Sequence, residues 1–477
     1  MNILLIKAAG ITNYNSAVTH PLGIMYLASY LKKYCSSELN IKLLDMRVQN
    51  MSSKKLSQFI ETFNPDIAGI SAITMEANNM HEIAKELRRS APRCKVIAGG
   101  PHPTSFVSKT LADRNIDCVV AGEGEKTFYE IVESSKHGNN IDKVNGIAFR
   151  NNGDLRLTPA REYIRDLDSI PFPAWDLIDL NLYDNVKSMS TLGGKRYMVL
   201  FTSRGCPHQC IYCHNIFGKG FRMRSSENVL QEMDILYNNY GVRIFEIIDD
   251  IFNLDMSRAE KILDMIIEKK YKIDIAFPNG LRTDRLEKKT LEKFHAAGTK
   301  YISFPVESAS PRIQKLARKN LNLDKVREAI DYAVTLDIFS NGFFMLGFPT
   351  ETEEELKDTI RFALASRLHT ASFFTVTPFE GTALYDNSRD KISKLSVNYI
   401  HYSYYKSYFN LSEVPDAMMR RMYLMAYMRF YLNPERILRI IYIHFKTGNP
   451  KFLASYFAGA LYKISSWLFF KRAENSS

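Results

Sequence analysis

With 477 residues, 45% apolar and 24% charged, the chain has the balance of a folded protein with two or three cores, which excludes a disordered or fibrous one. The net charge is +11, but residues 418–472 hold ten Lys and Arg against Glu435 alone, so the body of the chain offers no basic groove or recognition module for a nucleic acid. Six unevenly spaced cysteines point to a reducing, cytoplasmic setting, and no apolar run is long enough to span a bilayer.

The opening MNILLIKAAG lacks a basic start and a long apolar core, so it is expected to be a first strand and not a signal peptide. NILLIK, IKLLD, DIAGIS, KVIAGG and DCVVAG read as buried strands. Between them lie amphipathic stretches such as PLGIMYLASYLKKY and EANNMHEIAKELRRS. This alternation predicts an α/β domain over residues 1–140, a Rossmann-like or flavodoxin-like doubly wound parallel sheet. Ligands on such sheets sit beyond the carboxyl ends of the strands, which selects Asp45, Ser71, Gly99, Gly100, His102 and Glu123. No G-x-G-x-x-G follows the first strand, so a dinucleotide is not the favoured ligand.

Residues 141–190 change character and are expected to form a linker. GIAFRNNGDLRLTP predicts a short hairpin on Asn152-Gly153, and the Pro- and aromatic-rich stretch after it makes Trp175 a packing anchor. A second alternation occupies 191–405. YMVLFTS, RIFEIID, KIDIAFP, KYISFPV, FSNGFFMLG and ASFFTVT are strands separated by helices near 227–239, 257–269, 286–297, 311–319, 324–336 and 352–366. Six βα units predict a partial TIM-like (β/α)6 barrel, with capping boxes at Ser257–Glu260 and Thr352–Glu355 and with Val229, Met233 and Leu236 on one buried face. Residues 406–477 read as a basic helical region.

Directly after the first barrel strand comes GCPHQCIYCHN, which sets Cys206, Cys210 and Cys213 in the spacing C-x-x-x-C-x-x-C. Three thiols at this spacing make a soft-metal site. A structural zinc ion wants four closed ligands and no second C-x-x-C exists, so a zinc-binding protein would have to recruit His208 or His214. Three thiolates on an iron–sulfur cubane leave one iron open. The remaining Cys35, Cys94 and Cys118 read as packed small apolar residues.

That spacing, with Tyr212 before the last cysteine, resembles the radical S-adenosylmethionine (SAM) enzymes. The resemblance implies a [4Fe-4S] cluster whose open iron binds SAM, reductive cleavage to a 5'-deoxyadenosyl radical, and hydrogen abstraction from an unactivated carbon. Strand ends then supply SAM contacts: Asp249 and Asp250 after the second strand, Glu307 and Ser308 after the fourth, and Gly347 after the fifth. Arg222, Arg224 and Arg282 stand between SAM or substrate contacts and surface ion pairs.

Upstream, HPLGIMYLASYLKK, NPDIAGISAIT, VIAGGPHPT and VVAGEGEKTF look like the cobalamin (B12)-binding domain that precedes the radical SAM core in a large subfamily. The D-x-H-x-x-G motif whose histidine ligates cobalt is absent, as in many members. This resemblance implies methylation of an unactivated carbon with cobalamin as methyl carrier. A radical cyclase, rearrangement or oxidation enzyme, with or without cobalamin, is the alternative. The implied partners are a small-molecule or lipid substrate and an electron donor such as flavodoxin or ferredoxin. The basic, aromatic end of the chain, with Trp467, Phe469 and Phe470, suits either a helical cap on the barrel or peripheral contact with the inner face of a membrane.

Overall fold

The computed structural model describes residues 1–9, 18–36, 38–49, 51–184, 186–190, 192, 196–214, 216–393, 402, 409–446 and 453. Trp467, Phe469, Phe470 and most of the aromatic run HYSYYKSYFN lie outside them. Two compact units result, one built mainly on Met1–Lys187 with Asn215–Arg224, the other mainly on Ser188–His214 and Ser225–Val397.

In the first unit the strands are β1 (Asn2–Lys7), β2 (Asn40–Asp45), β3 (Ile67–Ser71), β4 (Lys95–Gly99), β5 (Cys118–Val120), β6 (Ile147–Asn151) and β7 (Asp154–Leu157). Among the described residues their order is β2-β1-β3-β4-β5-β6-β7, with β1 to β5 parallel. This is the flavodoxin-like order, and its switch point falls between β1 and β3. Ile3, Leu4, Leu5 and Ile6 are all fully buried, as a strand covered on both faces requires. The helix α1 (Leu22–Tyr34) and a later one, Glu125–Lys136, lie at the carboxyl-end cavity described below.

The hairpin forms where the sequence expects it, but not as part of a linker. Asn152 and Gly153 both hold positive φ (+52° and +92°), the geometry of a two-residue turn whose twist matches that of the strands. β6 then pairs antiparallel with β5, Cys118 opposite Phe149, so the pair extends the sheet instead of leaving it. Trp175 is buried, edge-on to His20 with ring centroids 5.5 Å apart.

In the second unit β8 (Tyr197–Leu200), β9 (Ile244–Ile247), β10 (Asp274–Phe277), β11 (Thr299–Glu307), β12 (Phe339–Leu346) and β13 (Thr370–Thr375) form, among the described residues, a parallel sheet in sequence order. Helices Ser226–Asn239, Met256–Lys269, Lys288–Ala296, Pro311–Leu316, Leu323–Thr335 and Glu353–Ala365 alternate with them, close to the expected positions. Val229, Met233 and Leu236 are fully buried. The Thr352–Glu355 box closes in both directions. The Ser257–Glu260 box does not: Asp255 caps that helix, accepting from Arg258 N at 3.0 Å, because the helix starts at Met256 and leaves Ser257 inside the first turn.

An open barrel has an edge, and β13 is one. The helix Asp416–Tyr431 covers it with tyrosines at four-residue spacing. Tyr427 Oη accepts from Phe373 N at 3.1 Å and donates to Phe373 O at 3.1 Å, Tyr431 Oη does the same for Ala371 at 3.2 and 2.8 Å, and Tyr423 donates to Phe373 O at 2.8 Å. The next helix, Pro434–Lys446, buries Arg436, which donates to the Ser366, Leu364, Leu368 and Phe430 carbonyls and stacks 3.5 Å from the Phe430 ring. The described part of the basic tail is thus a helical cap on the barrel. Among the described residues no helix is long and apolar enough to cross a membrane.

Candidate functional site

β8 ends at Leu200, and the cysteine loop leaves from its carboxyl end. The take-off is fixed by Asp249, which accepts from Thr202 N at 2.6 Å, from Thr202 Oγ1 and from Ser203 Oγ at 2.6 Å. Burial raises its pKa, opposed by Arg258 and by these hydrogen bonds. Asp249, expected to contact SAM, is therefore committed to holding two strand ends together. Its neighbour Asp250 is exposed and accepts from Gly205 N at 3.1 Å.

Within the loop Cys206 is half-buried, Cys210 buried and Cys213 exposed, and all are free thiols. A turn brings Cys213 N to Cys210 O at 3.3 Å. The Cys213 thiol donates to Cys210, which brings Cys210 down to about 6 and keeps the Cys213 proton on. Among the described residues no three His, Cys, Asp or Glu side chains are grouped as a site for one ion. A structural zinc site wants four protein ligands, whereas the loop supplies three thiols, the number that leaves one iron of a cubane open. The donor set, three free thiols on one loop, fits a cubane.

Glu307 ends β11 in a strained conformation, φ +67°, just after a register shift between Pro305 and Glu307. The bulge leaves its carboxylate buried, 3.4 Å from Lys319 Nζ. Burial raises the Glu307 pKa against the pull of Lys319. Burial works against charge on Lys319 too, but Glu307, Cys210 and Cys213 hold its pKa up. Tyr212 completes the group: its buried hydroxyl lies close enough to Cys210 and Glu307 to pull the pKa of each down, and its ring stands edge-on to Phe348 at 5.9 Å. A buried hydroxyl beside a carboxyl group and a thiol is a position for a polar ligand.

Ser308 pairs with Thr359 Oγ1 at 3.2 Å and accepts from Ser310 N at 3.2 Å, so its hydroxyl shapes the loop. Gly347 has φ +99°, and its N–H, with that of Phe348, donates to Glu351 Oε2 at 2.7 and 2.9 Å. Burial pushes the Glu351 carboxyl up to about 8 against those amides. Arg282 is bound to Asp284 at 2.8 Å and to the Lys319 carbonyl at 3.2 Å. Lys319 and Glu351 are absent from the sequence-derived site. Lys319 lies in a non-periodic ARKN run, and Glu351 had only its position after a strand end to mark it.

In the first unit a cavity of about 90 Å³ opens over the carboxyl ends of β3, β4 and β5, beside α1. Ser71, Gly99 and Gly100 line it, as do Gly23 and Gly122 and the apolar Leu27 and Phe128. Six of fourteen lining residues are glycines, so backbone forms much of the wall. An added Cβ would meet nothing within 4 Å at Gly23 or Gly122, and at Gly99 only Val120 at 3.8 Å. Gly100 is different: with φ +92° and Ser71 Oγ 2.9 Å from an added Cβ, it admits no side chain. Such a cradle fits a flat, largely apolar group.

Three other expected contacts do not line this cavity. Asp45 is buried and bound by Arg47 Nη2 and Tyr183 Oη, each at 2.7 Å. Glu123 accepts from Arg222 at 2.8 Å and from Ile164 N at 2.9 Å. That pairing also makes Arg222 part of an interior ion pair of the first unit, where Arg224 lies 5.2 Å from the Phe172 ring, so neither arginine is a surface partner. His102 is fully buried, stacked on Phe106 at 4.7 Å, and burial brings its pKa down to about 4. The cysteines outside the loop behave as packed residues: Cys94 and Cys118 are buried, Cys35 half-buried, and burial pushes the Cys94 thiol up to about 12.

The B12 binding domain model matches residues 11–132 and the Radical SAM superfamily model residues 200–363. An uncharacterized methyltransferase of Pyrococcus horikoshii is 32% identical over 428 residues, 89% of this chain and 90% of that protein. Cytidylyl-2-hydroxyethylphosphonate methyltransferase of Streptomyces wedmorensis is 30% identical over 416 residues, 77% of each chain. Among solved structures, the radical SAM methyltransferase TsrM of Kitasatospora setae with cobalamin and a [4Fe-4S] cluster bound superimposes with a TM-score of 0.69 at 15% identity, covering 83% of this chain and 76% of that one.

Proposed function

The chain belongs to the radical SAM enzymes that carry an N-terminal B12-binding domain, and from that premise we propose that it transfers a methyl group to an unactivated carbon of a small molecule. Its cofactors are those of the family: a [4Fe-4S] cluster, SAM and cobalamin. The observation that carries the methyl-transfer reading is that two relatives matched over at least 77% of both chains are named methyltransferases. When bound, the cluster supplies an electron to SAM and cobalamin carries a methyl group.

The chain's own residues divide the work. Cys206, Cys210 and Cys213 hold the cluster. Tyr212 offers a buried hydroxyl and Glu307 a buried carboxyl group to the polar end of SAM, with Lys319 pulling against the burial that raises the Glu307 pKa and adding a positive charge beside the thiols. Ser308 and Gly347 act through backbone and loop shape, and Asp250 is the exposed acid at the rim. The glycine-walled cavity takes a flat arm of cobalamin, with Ser71, Gly99 and Gly100 as contacts. His102, buried on Phe106, supplies no ligand to cobalt in this reading.

Reconstituted protein given methyl-labelled SAM, cobalamin and a strong reductant is expected to form 5'-deoxyadenosine and S-adenosylhomocysteine together, with label passing to the acceptor. Deoxyadenosine alone, with no S-adenosylhomocysteine at any cobalamin concentration, would assign cyclisation, rearrangement or oxidation instead.

A second reading concerns where the enzyme works. The helix Pro434–Lys446 leaves Leu438, Tyr442 and Phe445 exposed by 66%, 56% and 66%, at spacings of four and three that make one apolar row. Peripheral contact with anionic lipid follows from that row and from the surrounding excess of Lys and Arg, each attracted by about 1 kcal/mol near such a surface. It would bring the enzyme to an apolar or lipid substrate. In flotation with anionic liposomes at low salt, the protein is expected to rise with the lipid and L438S/F445S to stay behind. Equal behaviour of the two proteins refutes the contact.

A further inference from the structure

Backbone alternation gives each barrel strand a helix-facing side and an inner side. On β12, Phe344 is fully buried with its ring 6.4 Å from that of Phe362 on the helix Glu353–Ala365. On β13, the buried Phe373 ring stands 5.2 Å from that of Tyr427 on the helix Asp416–Tyr431. Phe343, Ser372 and Phe374 therefore belong to the inner side. Pro305 of β11 is in register with Phe343, and Phe343 with Ser372, so the three form one row. The Phe343 and Phe374 rings meet edge to face at 5.5 Å.

This row is where the interior stops being packed. One step toward the amino ends, Ser303, Asn341 and Thr370 are in register and buried. They bond to one another: Asn341 Nδ2 donates to Ser303 Oγ at 3.3 Å, and Asn341 Oδ1 accepts from Thr370 Oγ1 at 2.8 Å. A further step down, the buried Tyr301 and Phe339 rings stack at 5.4 Å. Pro305, Phe343, Ser372 and Phe374, by contrast, are only half-buried, although layers of side chains fill the interior of such barrels. An inner row left uncovered near the carboxyl ends of the strands is a seat for a ligand. It adjoins the cysteine loop, for Phe374 and Tyr212 pack against the same cluster of Ile211, Met345 and Phe348.

The chemistry of the row is specific. Two phenyl rings and a proline present flat apolar surface. The inner positions of β11, β12 and β13 carry no Lys or Arg, so an anion seated on this wall would lose its hydration with no cation there to replace it. The polar side chain of the row is Ser372, whose hydroxyl bonds to no group among the described residues.

We propose that Pro305, Phe343, Ser372 and Phe374 select the methyl acceptor: an uncharged molecule whose flat apolar body lies against the two rings and whose hydrogen-bonding oxygen pairs with Ser372. This rests on the methyl-transfer reading above and names the class of its substrate.

Naphthalene, 2-naphthol and naphthalene-2-sulfonate share one flat body and differ by an oxygen and by a charge, which makes them the probes. Equilibrium dialysis uses reconstituted L438S/F445S protein, whose helix Pro434–Lys446 no longer offers its exposed apolar row. 2-Naphthol should bind most tightly. Naphthalene should bind about fivefold more weakly, the worth of one hydrogen bond, and the sulfonate at least about tenfold more weakly. Ser372→Ala should bring 2-naphthol down to naphthalene. Phe343→Arg should put the sulfonate ahead of 2-naphthol at unchanged iron content and thermal midpoint. Where Phe343→Arg does not fold, Ser372→Arg sets the cation on the same row and should reverse the order likewise. A sulfonate bound as tightly as 2-naphthol before any change to the row, or an order that none of these variants alters, overturns the assignment. The S-adenosylhomocysteine assay tests the methyl-transfer reading separately: an enzyme that ranks the probes as expected yet forms none overturns that reading and leaves the seat in place.

Discussion

Cys210→Ala, purified and reconstituted without oxygen, is expected to lose the iron that the wild type takes up, about four per chain, and to cleave no SAM above background. Among the three loop cysteines Cys210 is the buried one, its thiol is the one drawn down to about 6, and its sulfur is tied to the turn at Arg318. Removing it leaves two thiols, one half-buried and one exposed, and too few ligands for a cubane with a single open iron. Cys94→Ala and Cys118→Ala in one protein should keep all the iron, because both thiols are buried in the first unit and pushed up to about 12. Their cost should be limited to packing, roughly 1 kcal/mol each. Iron retained by Cys210→Ala, or wild type that takes up one zinc and no iron, would contradict the cluster assignment.

How far the sequence could be read follows from how local each signal is. Strands and helices announced themselves through period and caps, and every expected strand forms, although the first sheet also takes in β6 and β7. The hairpin was visible at Asn152-Gly153, but its attachment to β5 is a pairing between segments some thirty residues apart, and nothing in the local pattern carries it. The same divide runs through the site. Three cysteines in eight residues are legible as a metal loop because the ligands are neighbours in sequence. Asp249 and Glu123 looked like free carboxylates at strand ends, yet each is occupied by groups far along the chain, Thr202 and Ser203 in one case and Arg222 in the other. A strand-end rule says where a carboxylate emerges, not whether it has already found a partner. Lys319 reaches Glu307 only because a bulge re-aims one residue and a left-handed turn presents the other, and neither device has a sequence signature as plain as a glycine.

Gly99→Leu should abolish cobalamin binding while leaving the fold and the cluster in place. Gly99 lies at the end of β4 with an ordinary backbone and lines the cavity; an added Cβ would meet Val120 O at 3.8 Å, which is normal contact, and the rest of a leucine would project into a space of about 90 Å³. A leucine side chain fills most of such a volume, so a ligand arm that must enter it loses its seat, and affinity should fall by at least about a hundredfold, the equivalent of roughly 3 kcal/mol. Gly100 is the wrong place for this experiment, since φ +92° and the 2.9 Å approach to Ser71 would damage the strand end itself. Gly23→Leu gives an independent check from the opposite wall: it lies in α1 with nothing within 4 Å of an added Cβ, and replacing a helical glycine should by itself stabilise the protein by about 0.5–1 kcal/mol. Both variants are to be measured for bound cobalt, for bound iron and for thermal midpoint. Loss of cobalt with unchanged iron and an unchanged or raised midpoint places the cofactor in the cavity; full cobalt in both variants places it elsewhere. With cobalt gone and iron kept, each variant should still cleave SAM to 5'-deoxyadenosine but form no S-adenosylhomocysteine, because in the proposed methyl transfer cobalamin carries the methyl group and the thiols of the second unit are untouched.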